Sequence, residues 1–397
     1  MKICVFAHVP PPMHGQAYMT QLLLQALRQW KSNDPEAPEI YHVDARVSRK
    51  AHDIGGMAIG KLLLLIGYII QAVWARLWRR CTHLYYVPAP AKKSAILRDL
   101  LVLSVLRPLY PHLILHWHAM GLGKWVSGQT TIFWGHFDGY FRKCIRKLLC
   151  GAEQAWILKE VFREEVQIFH PKRVELLING IPDPFPDYSE GLGSQRKARA
   201  DRLRLLNEKS NHIGPVRFLH LGLCSREKGI FLELEFLRRW TKIFPENPPK
   251  LRMCGVFDSK ETEAQFRAAT AALDVECIGA VDGAEKKHAL QNADVLLFFS
   301  QLPETMGLVV VEAMSAGLLP LVAKGSGRES VLEGTDLPAI NFSDEWVAVK
   351  SALNHYKPDQ LRALFLQRYS FSVFSSEIRK IFAELQKGTG KQPPPCI

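Results

Sequence analysis

The sequence lacks the patterns that would indicate a metal site, a disulfide framework or an export signal. Its eight cysteines are scattered, with no C-x-x-C pair and no cysteine–histidine cluster at zinc spacing, so we expect reduced thiols and no metal site. The first residues, MKICVFAHVPPP, contain no basic region followed by a long apolar stretch, so no secretory signal is predicted. These absences favour a cytoplasmic protein.

Acidic residues are scarce in the first half of the chain. Residues 1–185 carry 23 Lys and Arg against 13 Asp and Glu, and the whole chain has a formal net charge of +12. The excess positive charge of this half indicates an anionic partner, either nucleic acid or an anionic membrane. Nucleic acid is the weaker alternative, because the basic residues are not interleaved with aromatic residues on which bases stack.

No apolar run reaches the roughly 20 residues that a membrane span needs. The run KLLLLIGYII (61–70) stops at Gln71. We expect a buried helix here, with Arg76, Arg79 and Arg80 favourably placed at its C-terminal end. A helix lying on a membrane surface is the alternative.

A second basic segment, RKCIRK (142–147), favours the membrane surface. On a helix, Arg142, Lys143, Arg146 and Lys147 form one basic face. Together with the apolar helix and the charge of residues 1–185, this face predicts peripheral docking of the first domain on an anionic membrane.

Short apolar strands alternate with helical patterns along most of the chain. The predicted strands are 2–9, 83–89, 112–119, 152–158, 173–180, 216–223, 250–256, 275–281, 294–300 and 318–324. A polar, charged stretch that suits a linker or a surface helix interrupts the alternation, so we predict a first domain over 1–185, a linker over 186–213 and a second domain over 214–370. A C-terminal helix over 371–387, packing back on the first domain, and a disordered tail over 388–397 complete this division. Two βα series predict two doubly wound α/β domains, with a ligand in a cleft lined by the strand C-termini of both.

The stretch PETMGLVVVEAMSAG (303–317) carries two glutamates eight positions apart. Its valines favour a strand, but it joins two buried parallel strands, and such a crossover is usually helical. We therefore predict a short helix over 307–316 that ends at Gly317.

The spacing of Glu304 and Glu312 argues against a glycoside hydrolase. Eight helical residues separate two carboxylates by about 12 Å, which exceeds the roughly 5–9.5 Å of a hydrolytic acid pair. The helix start instead offers free backbone N–H groups at Met306, Gly307 and Leu308, which suit phosphate or sugar oxygens.

These residues resemble a known family. FSQLPETMGLVVVEAMSAGLLPLVAKGSGRESVL (299–332) is similar to the donor-site signature of the retaining GT-B glycosyltransferases of family four. LGLCSREKGIFLELEFL (221–237) resembles the phosphate loop of that family, and ELLINGIPDP (175–184) the segment that closes its first domain. ILHWHAMG (114–121) resembles its acceptor-side strand end, and VPPPMHGQAYMTQLL its N-terminal glycine loop. The resemblance implies a GT-B fold, with two Rossmann-like domains facing a central cleft.

The resemblance also implies roles for individual residues. Glu312 would bind the ribose hydroxyls of a nucleotide-diphosphate sugar, and Glu304 the hydroxyls of the donor sugar. Lys228 would neutralise the departing diphosphate in place of a metal, and His118 would lie near the reacting centre. The remaining donor-binding candidates are Gly15, Thr305, Met306, Gly307 and Leu308.

Two departures from the family pattern affect the site. Leu223 stands where an arginine is usual, so we expect Arg226 to supply the second cation of the phosphate loop. The N-terminal loop has one glycine where two are common, with His14 and Gln16 flanking Gly15.

The implied activity is transfer of a sugar from a nucleotide-diphosphate donor to a hydroxyl of a lipid-linked or polysaccharide glycan, with retention and without a cofactor. Three alternatives remain open: a nucleotide-sugar epimerase, a phosphorylase on the same fold, and a non-catalytic, membrane-associated binding subunit.

Overall fold

The computed structural model describes residues 1–11, 13–46, 59–207, 213–302, 306–325 and 328–386. The chain forms two compact units. The first comprises Met1–Gly180 and Phe371–Ile397, and the second comprises Ile181–Ser370. Each unit is built around one parallel sheet with helices between successive strands.

The sheet of the first unit has six strands in the order β2-β1-β3-β4-β5-β6. They are β1 (Lys2–Phe6), β2 (Glu39–Val43), β3 (His83–Tyr86), β4 (His112–Trp117), β5 (Gln154–Ile157) and β6 (Val174–Leu176). The helices are α1 (Gly15–Asn33), α2 (Ile59–Leu77), α3 (Lys93–Leu109), α4 (Leu122–Val126), α5 (His136–Leu149) and α6 (Arg163–Gln167). Helix α3 packs against both α2 and α5, so these three helices form one layer on the sheet.

The sheet of the second unit has five strands in the order β11-β10-β7-β8-β9. They are β7 (Val216–Leu221), β8 (Pro249–Cys254), β9 (Asp274–Cys277), β10 (Val295–Phe298) and β11 (Leu319–Val322). The helices are α7 (Leu192–Arg204), α8 (Ile230–Ile243), α9 (Lys260–Ala269), α10 (Gly283–Asn292), α11 (Leu308–Ser315), α12 (Glu345–His355) and α13 (Pro358–Leu364). The predicted fold class, two doubly wound α/β domains, is confirmed.

The chain returns to the first unit through α14 (Phe371–Gln386), which packs against α1. The ring of Phe382 contacts Trp30 of α1 and meets Trp156 of β5 edge-on, with centroids 5.3 Å apart. The predicted tail over 388–397 lies outside the described residues.

The segment predicted as a linker is part of the second unit. Its charged residues suggested solvent exposure, but Arg196 of α7 is fully buried. The guanidinium donates to the backbone carbonyls of Ala316 at 2.8 Å, Ala293 at 2.6 Å and Leu290. The linker prediction over 186–213 is therefore wrong for α7, because buried carbonyl groups rather than water satisfy this arginine.

Helix α2 is only half buried, contrary to the expected buried helix. Leu65, Ile69, Ala72 and Ala75 pack into the core. An apolar stripe on the opposite side is exposed: Leu62, Leu63, Leu64, Ile66, Ile70, Trp74 and Leu77. By length and composition alone, Gly60–Leu77 is also able to cross a membrane, with 22% of that window buried. The apolar run that stops at Gln71 underestimated the length of this helix, because α2 continues to Leu77.

Six cysteines of the described residues carry free thiols, as expected: Cys4, Cys81, Cys144, Cys224, Cys254 and Cys277.

Candidate functional site

The predicted donor residues of the second unit follow two neighbouring strands. β7 and β10 are paired and parallel, and the carboxyl ends of parallel strands lie at the same edge of a sheet. The loop with Lys228 leaves β7, while Met306 and Gly307 lie between β10 and α11, and Leu308 begins α11. The fold therefore brings the two predicted donor segments to one edge. Glu304 and Thr305 lie outside the described residues.

The loop around Lys228 is a tight turn that leads into α8. The backbone N–H of Lys228 donates to the carbonyl and to the Oγ of Ser225, both at 3.1 Å. Gly229 caps α8 in the left-handed conformation, with φ +85°. Lys228 thus lies just before the N-terminus of a 14-residue helix, where the helix dipole also favours an anion.

Arg226 occupies the same loop but contacts neutral groups. Its guanidinium carbon lies 4.3 Å from the centroid of the Phe231 ring, and its Nη2 donates to Oε1 of Gln265 at 3.1 Å. Neither partner carries a negative charge. Leu223, where the family usually has an arginine, is 41% exposed.

Helix α11 begins on a packed glycine. Gly307 caps the helix with φ +63°, and a Cβ at this position would lie 3.0 Å from the ring of Phe298. Met306 is buried. The first residue of the helix is Leu308, so the predicted crossover helix over 307–316 is confirmed to within one residue at each end.

Glu312 makes a contact that sequence reasoning missed. Its Oε1 lies 2.7 Å from Nζ of Lys286, which belongs to α10. Only 11% of the Glu312 side chain is exposed, against 36% for Lys286. The carboxylate is thus nearly buried and already paired with a cation. Lys286 lies in the polar stretch AEKKH, where nothing distinguishes it from a solvent-exposed lysine.

A buried ionisable pair links the two ends of the Lys228 loop. Nδ1 of His220 in β7 lies 2.9 Å from Oε1 of Glu233 in α8, and both residues are buried. Burial disfavours the imidazolium, but the neighbouring Glu233 carboxylate and a hydrogen bond with Cys224 together outweigh it and raise the pKa of His220 to about 10. The pair ties β7 to α8 on either side of the loop.

Histidines collect at the corresponding edge of the first sheet. His8 follows β1 and His118 follows β4. His14 caps α1, where its Nδ1 accepts the backbone N–H of Ala17 at 3.4 Å, and its Nε2 lies 2.7 Å from Nε2 of His8. With Nδ1 as acceptor, neutral His14 carries its proton on Nε2 and donates to His8. Gly15 is the first residue of α1.

These histidines are held neutral. Burial, followed by repulsion from His14 and His8, lowers the pKa of His118 to about 3. Burial and the neighbouring His14 likewise lower the pKa of His8 to about 4. Near neutral pH these rings therefore act as uncharged hydrogen-bonding groups.

His116 shares a face with His118, with ring centroids 4.1 Å apart, as the strand alternation predicts. It is 1% exposed, and its Nδ1 lies 2.7 Å from the hydroxyl of Tyr85. His116 is thus a core residue, and His118 is the more exposed of the two. Within the described residues, no group of three or more His, Cys, Asp or Glu could hold a metal ion.

Comparison with known sequences finds a family similarity within the second unit. Residues 206–337 match the sequence profile of the family "Glycosyl transferases group 1". Phosphatidyl-myo-inositol mannosyltransferase of Mycolicibacterium smegmatis (strain ATCC 700084 / mc(2)155) is 29% identical over 171 residues, which cover 41% of this chain and 43% of that protein. The chain therefore spans less than half the length of the curated relatives that it matches.

Comparison with solved structures covers nearly the whole chain. Sucrose-phosphate synthase from Thermosynechococcus elongatus has a TM-score of 0.65 at 13% identity, covering 98% of this chain and all (100%) of that one. Anabaena HepE in complex with UDP and glucose has a TM-score of 0.58 at 14% identity, covering 97% and 100%. At such identities these likenesses show the fold. The chain has a GT-B fold, and its residues 206–337 are similar to the group 1 glycosyltransferases.

Proposed function

We propose that this protein is a retaining glycosyltransferase that moves a hexose-type sugar from a nucleotide-diphosphate sugar to a hydroxyl acceptor. The observation that carries the proposal is the edge formed by β7 and β10, where the Lys228 loop and the start of α11 lie together. This edge falls within the region that matches the group 1 profile. The complex of Anabaena HepE with UDP and glucose supports a nucleotide-sugar donor.

Different residues of this edge would bind different parts of the donor. Glu312 would accept hydrogen bonds from the ribose hydroxyls. The amides of residues 305–308 and the side chain of Glu304 would bind the donor sugar. Lys228 and Arg226 would neutralise the negative charge that develops on the diphosphate.

The proposed reaction proceeds on one face of the sugar. The bond between the anomeric carbon and the diphosphate oxygen breaks, and a bond from that carbon to the acceptor oxygen forms on the same face. The acceptor proton passes to an oxygen of the leaving diphosphate. Lys228 and the amides at the start of α8 stabilise that negative charge, so we propose turnover without a metal. Activity should persist in chelator; loss of activity that magnesium restores would contradict a metal-free mechanism.

His118 would act near the acceptor hydroxyl, and Gly15 would take part in donor binding. Neutral His118 can exchange a hydrogen bond with a hydroxyl. The exposed apolar stripe of α2 supports an acceptor presented at a lipid surface, with the protein docked on the cytoplasmic side of an anionic membrane.

The proposal is tested by nucleotide-sugar binding and by the variant Glu312→Ala. A ligand present at about 100 times its Kd should add about 2.7 kcal/mol to the free energy of unfolding, so a thermal-shift screen identifies the donor. Calorimetry on folded Glu312→Ala should then show no binding. Unchanged affinity in that variant would refute the ribose-binding role.

Product analysis separates the alternative functions. An epimerase would convert the nucleotide sugar without an acceptor, and a phosphorylase would need free phosphate. A non-catalytic subunit would bind the donor without turnover.

A further inference from the structure

The ion pair between Lys286 and Glu312 joins the two helices that precede and follow β10 in the sequence. Lys286 lies in α10 before this strand, and Glu312 lies in α11 after it. The distance of 2.7 Å from Nζ to Oε1 is that of a charge-assisted hydrogen bond. The pair belongs to the second unit alone.

The burial of Glu312 makes this partner important. The residue is 8% exposed, and a carboxylate at that depth is costly unless it is paired and hydrogen-bonded. Lys286 supplies the positive charge, and it also restricts the carboxylate to one orientation. Without the lysine, the carboxylate would be free to rotate.

The pair leaves room for a diol. An ionised carboxylate has about four lone-pair positions, and Lys286 occupies one, on Oε1. The remaining positions suffice for two hydroxyl groups, so the lysine and the ligand do not have to compete.

We propose that Lys286 is a positioning residue that holds the Glu312 carboxylate in the orientation that receives the ribose diol of the nucleotide. This inference rests on the proposed function, because it takes Glu312 as the ribose-binding group. Lys286 acts through Glu312 and need not touch the sugar. Its contribution to nucleotide affinity therefore depends on the ribose hydroxyls.

The adjacent lysine provides a matched control. Lys287 belongs to the same helix, and its Nζ lies 5.4 Å from the centroid of the Phe185 ring. Lys287→Met removes the same charge from the same turn of α10 but leaves the Glu312 pair in place. Lys286→Arg keeps a cation that can reach the carboxylate.

The experiment measures Kd by calorimetry for UDP, GDP and ADP, and carries forward the nucleotide that binds the wild-type protein most tightly, with its 2′,3′-dideoxy analogue. In Lys286→Met, affinity for the ribonucleotide should fall roughly tenfold to a hundredfold, and affinity for the dideoxy analogue should stay close to wild type. Lys287→Met should match wild type for both ligands, and Lys286→Arg should recover part of the loss. In a Glu312→Gln background, Lys286→Met should have little further effect.

Each contrary result has a distinct meaning. Wild-type ribonucleotide affinity in Lys286→Met overturns the inference, and so does an equal loss for ribonucleotide and dideoxy analogue, which would reveal a purely structural role. If the wild-type protein binds none of the three nucleotides, the proposed function fails and the inference fails with it. A Lys286→Met protein with lowered Tm is assessed by the ratio of the two affinities, which a loss of folded protein does not change.

Discussion

The carbonyl oxygen of Phe299 lies so close to Gly229 that a Cβ at residue 229 would meet it at 2.2 Å. Phe299 follows β10, and Gly229 ends the Lys228 loop that follows β7. A backbone hydrogen bond of 2.7 Å from Gln301 to the carbonyl of Glu227 joins the same two segments. The backbone of the Lys228 loop therefore packs directly on the neighbouring strand end, and only glycine leaves space for that packing.

Substitution of this glycine should be strongly destabilising. Gly229→Ala combines a positive φ of +85° with the clash against Phe299, and we expect a loss of about 2–5 kcal/mol in the free energy of unfolding. Gly214→Ala is the control, because Gly214 has φ +77° but no atom within 4 Å of its Cβ position. Urea denaturation of both variants measures the difference; equal losses would show that the close approach to Phe299 carries no cost.

Arg226 is expected to act as the second cation of the phosphate loop. Its partners, the Phe231 ring and Gln265, leave its charge available to a diphosphate. Removing a charged hydrogen bond that strengthens in the transition state costs about 2–4 kcal/mol. Arg226→Ala should therefore lower kcat by a factor comparable with Lys228→Ala, with a smaller effect on donor Kd.

The control for this experiment is Arg238→Ala, which removes an exposed arginine of α8 that donates to the Ala269 carbonyl. That variant should retain wild-type turnover. If Arg226→Ala also retains it while Lys228→Ala is inactive, Arg226 is only a surface residue.

Protonation of the histidines at the edge of the first sheet should lower the stability of the folded protein at acidic pH. The pKa of His118 is lowered to about 3 and that of His8 to about 4, both below the value of about 6.5 in an unfolded chain. The unfolded state therefore binds more protons than the folded state between these values. The stability that these neutral histidines contribute to the folded state is fully present above pH 6.5 and is lost as the pH falls toward 4.

Thermal unfolding across this pH range measures the effect. The fall in Tm between pH 7 and 4 should be smaller in His118→Asn, which cannot take up the proton. His136→Asn is the control, because His136 is exposed on α5. An acid dependence that is identical in wild type and His118→Asn would contradict the contribution of His118.

Each predicted strand is present in the structure. The central strands were predictable because a strand covered by helices on both sides needs a continuous apolar run, and the more exposed edge strands β6 and β9 were predicted as well. The exception is β2, which was missed. Its sequence EIYHV is short and largely half-buried, since it lies at the edge of the sheet, and the apolar signal is correspondingly weak.

Tertiary contacts explain what the sequence did not predict. The charges of α7 suggested a linker, but Arg196 is buried against carbonyl groups. The pair of Lys286 and Glu312 depends on how α10 and α11 pack around β10, and no local pattern marks it. By contrast, the position of α11 was predicted from the crossover between two buried parallel strands and from the helix stop at Gly317, because a parallel crossover restricts the choices.

The exposed stripe of α2 leads to the last prediction, which concerns membrane binding. Leu63 is 64% exposed and Ile70 is 62% exposed, and they share one helical face because they are seven positions apart. Burial of each side chain in a bilayer interface contributes about 1–2 kcal/mol. Of the predicted basic face of α5, Arg142 is paired with Asp138, while the exposed Lys143 and Lys147 add attraction to anionic lipid. Wild-type protein should sediment with vesicles of phosphatidylcholine and phosphatidylglycerol, less with phosphatidylcholine alone, and less at high salt.

The double variant Leu63→Glu, Ile70→Glu should bind the anionic vesicles at least about tenfold more weakly, without loss of Tm, because neither side chain belongs to the buried core. Val347→Glu is the matched control, since Val347 is 73% exposed on α12 of the second unit. It introduces a carboxylate on an exposed apolar residue outside the proposed docking surface, and should sediment like wild type. If binding is insensitive to both glutamates, or does not depend on anionic lipid and salt, α2 is an apolar surface without a role in docking. That result would also remove the main support for an acceptor presented at a membrane.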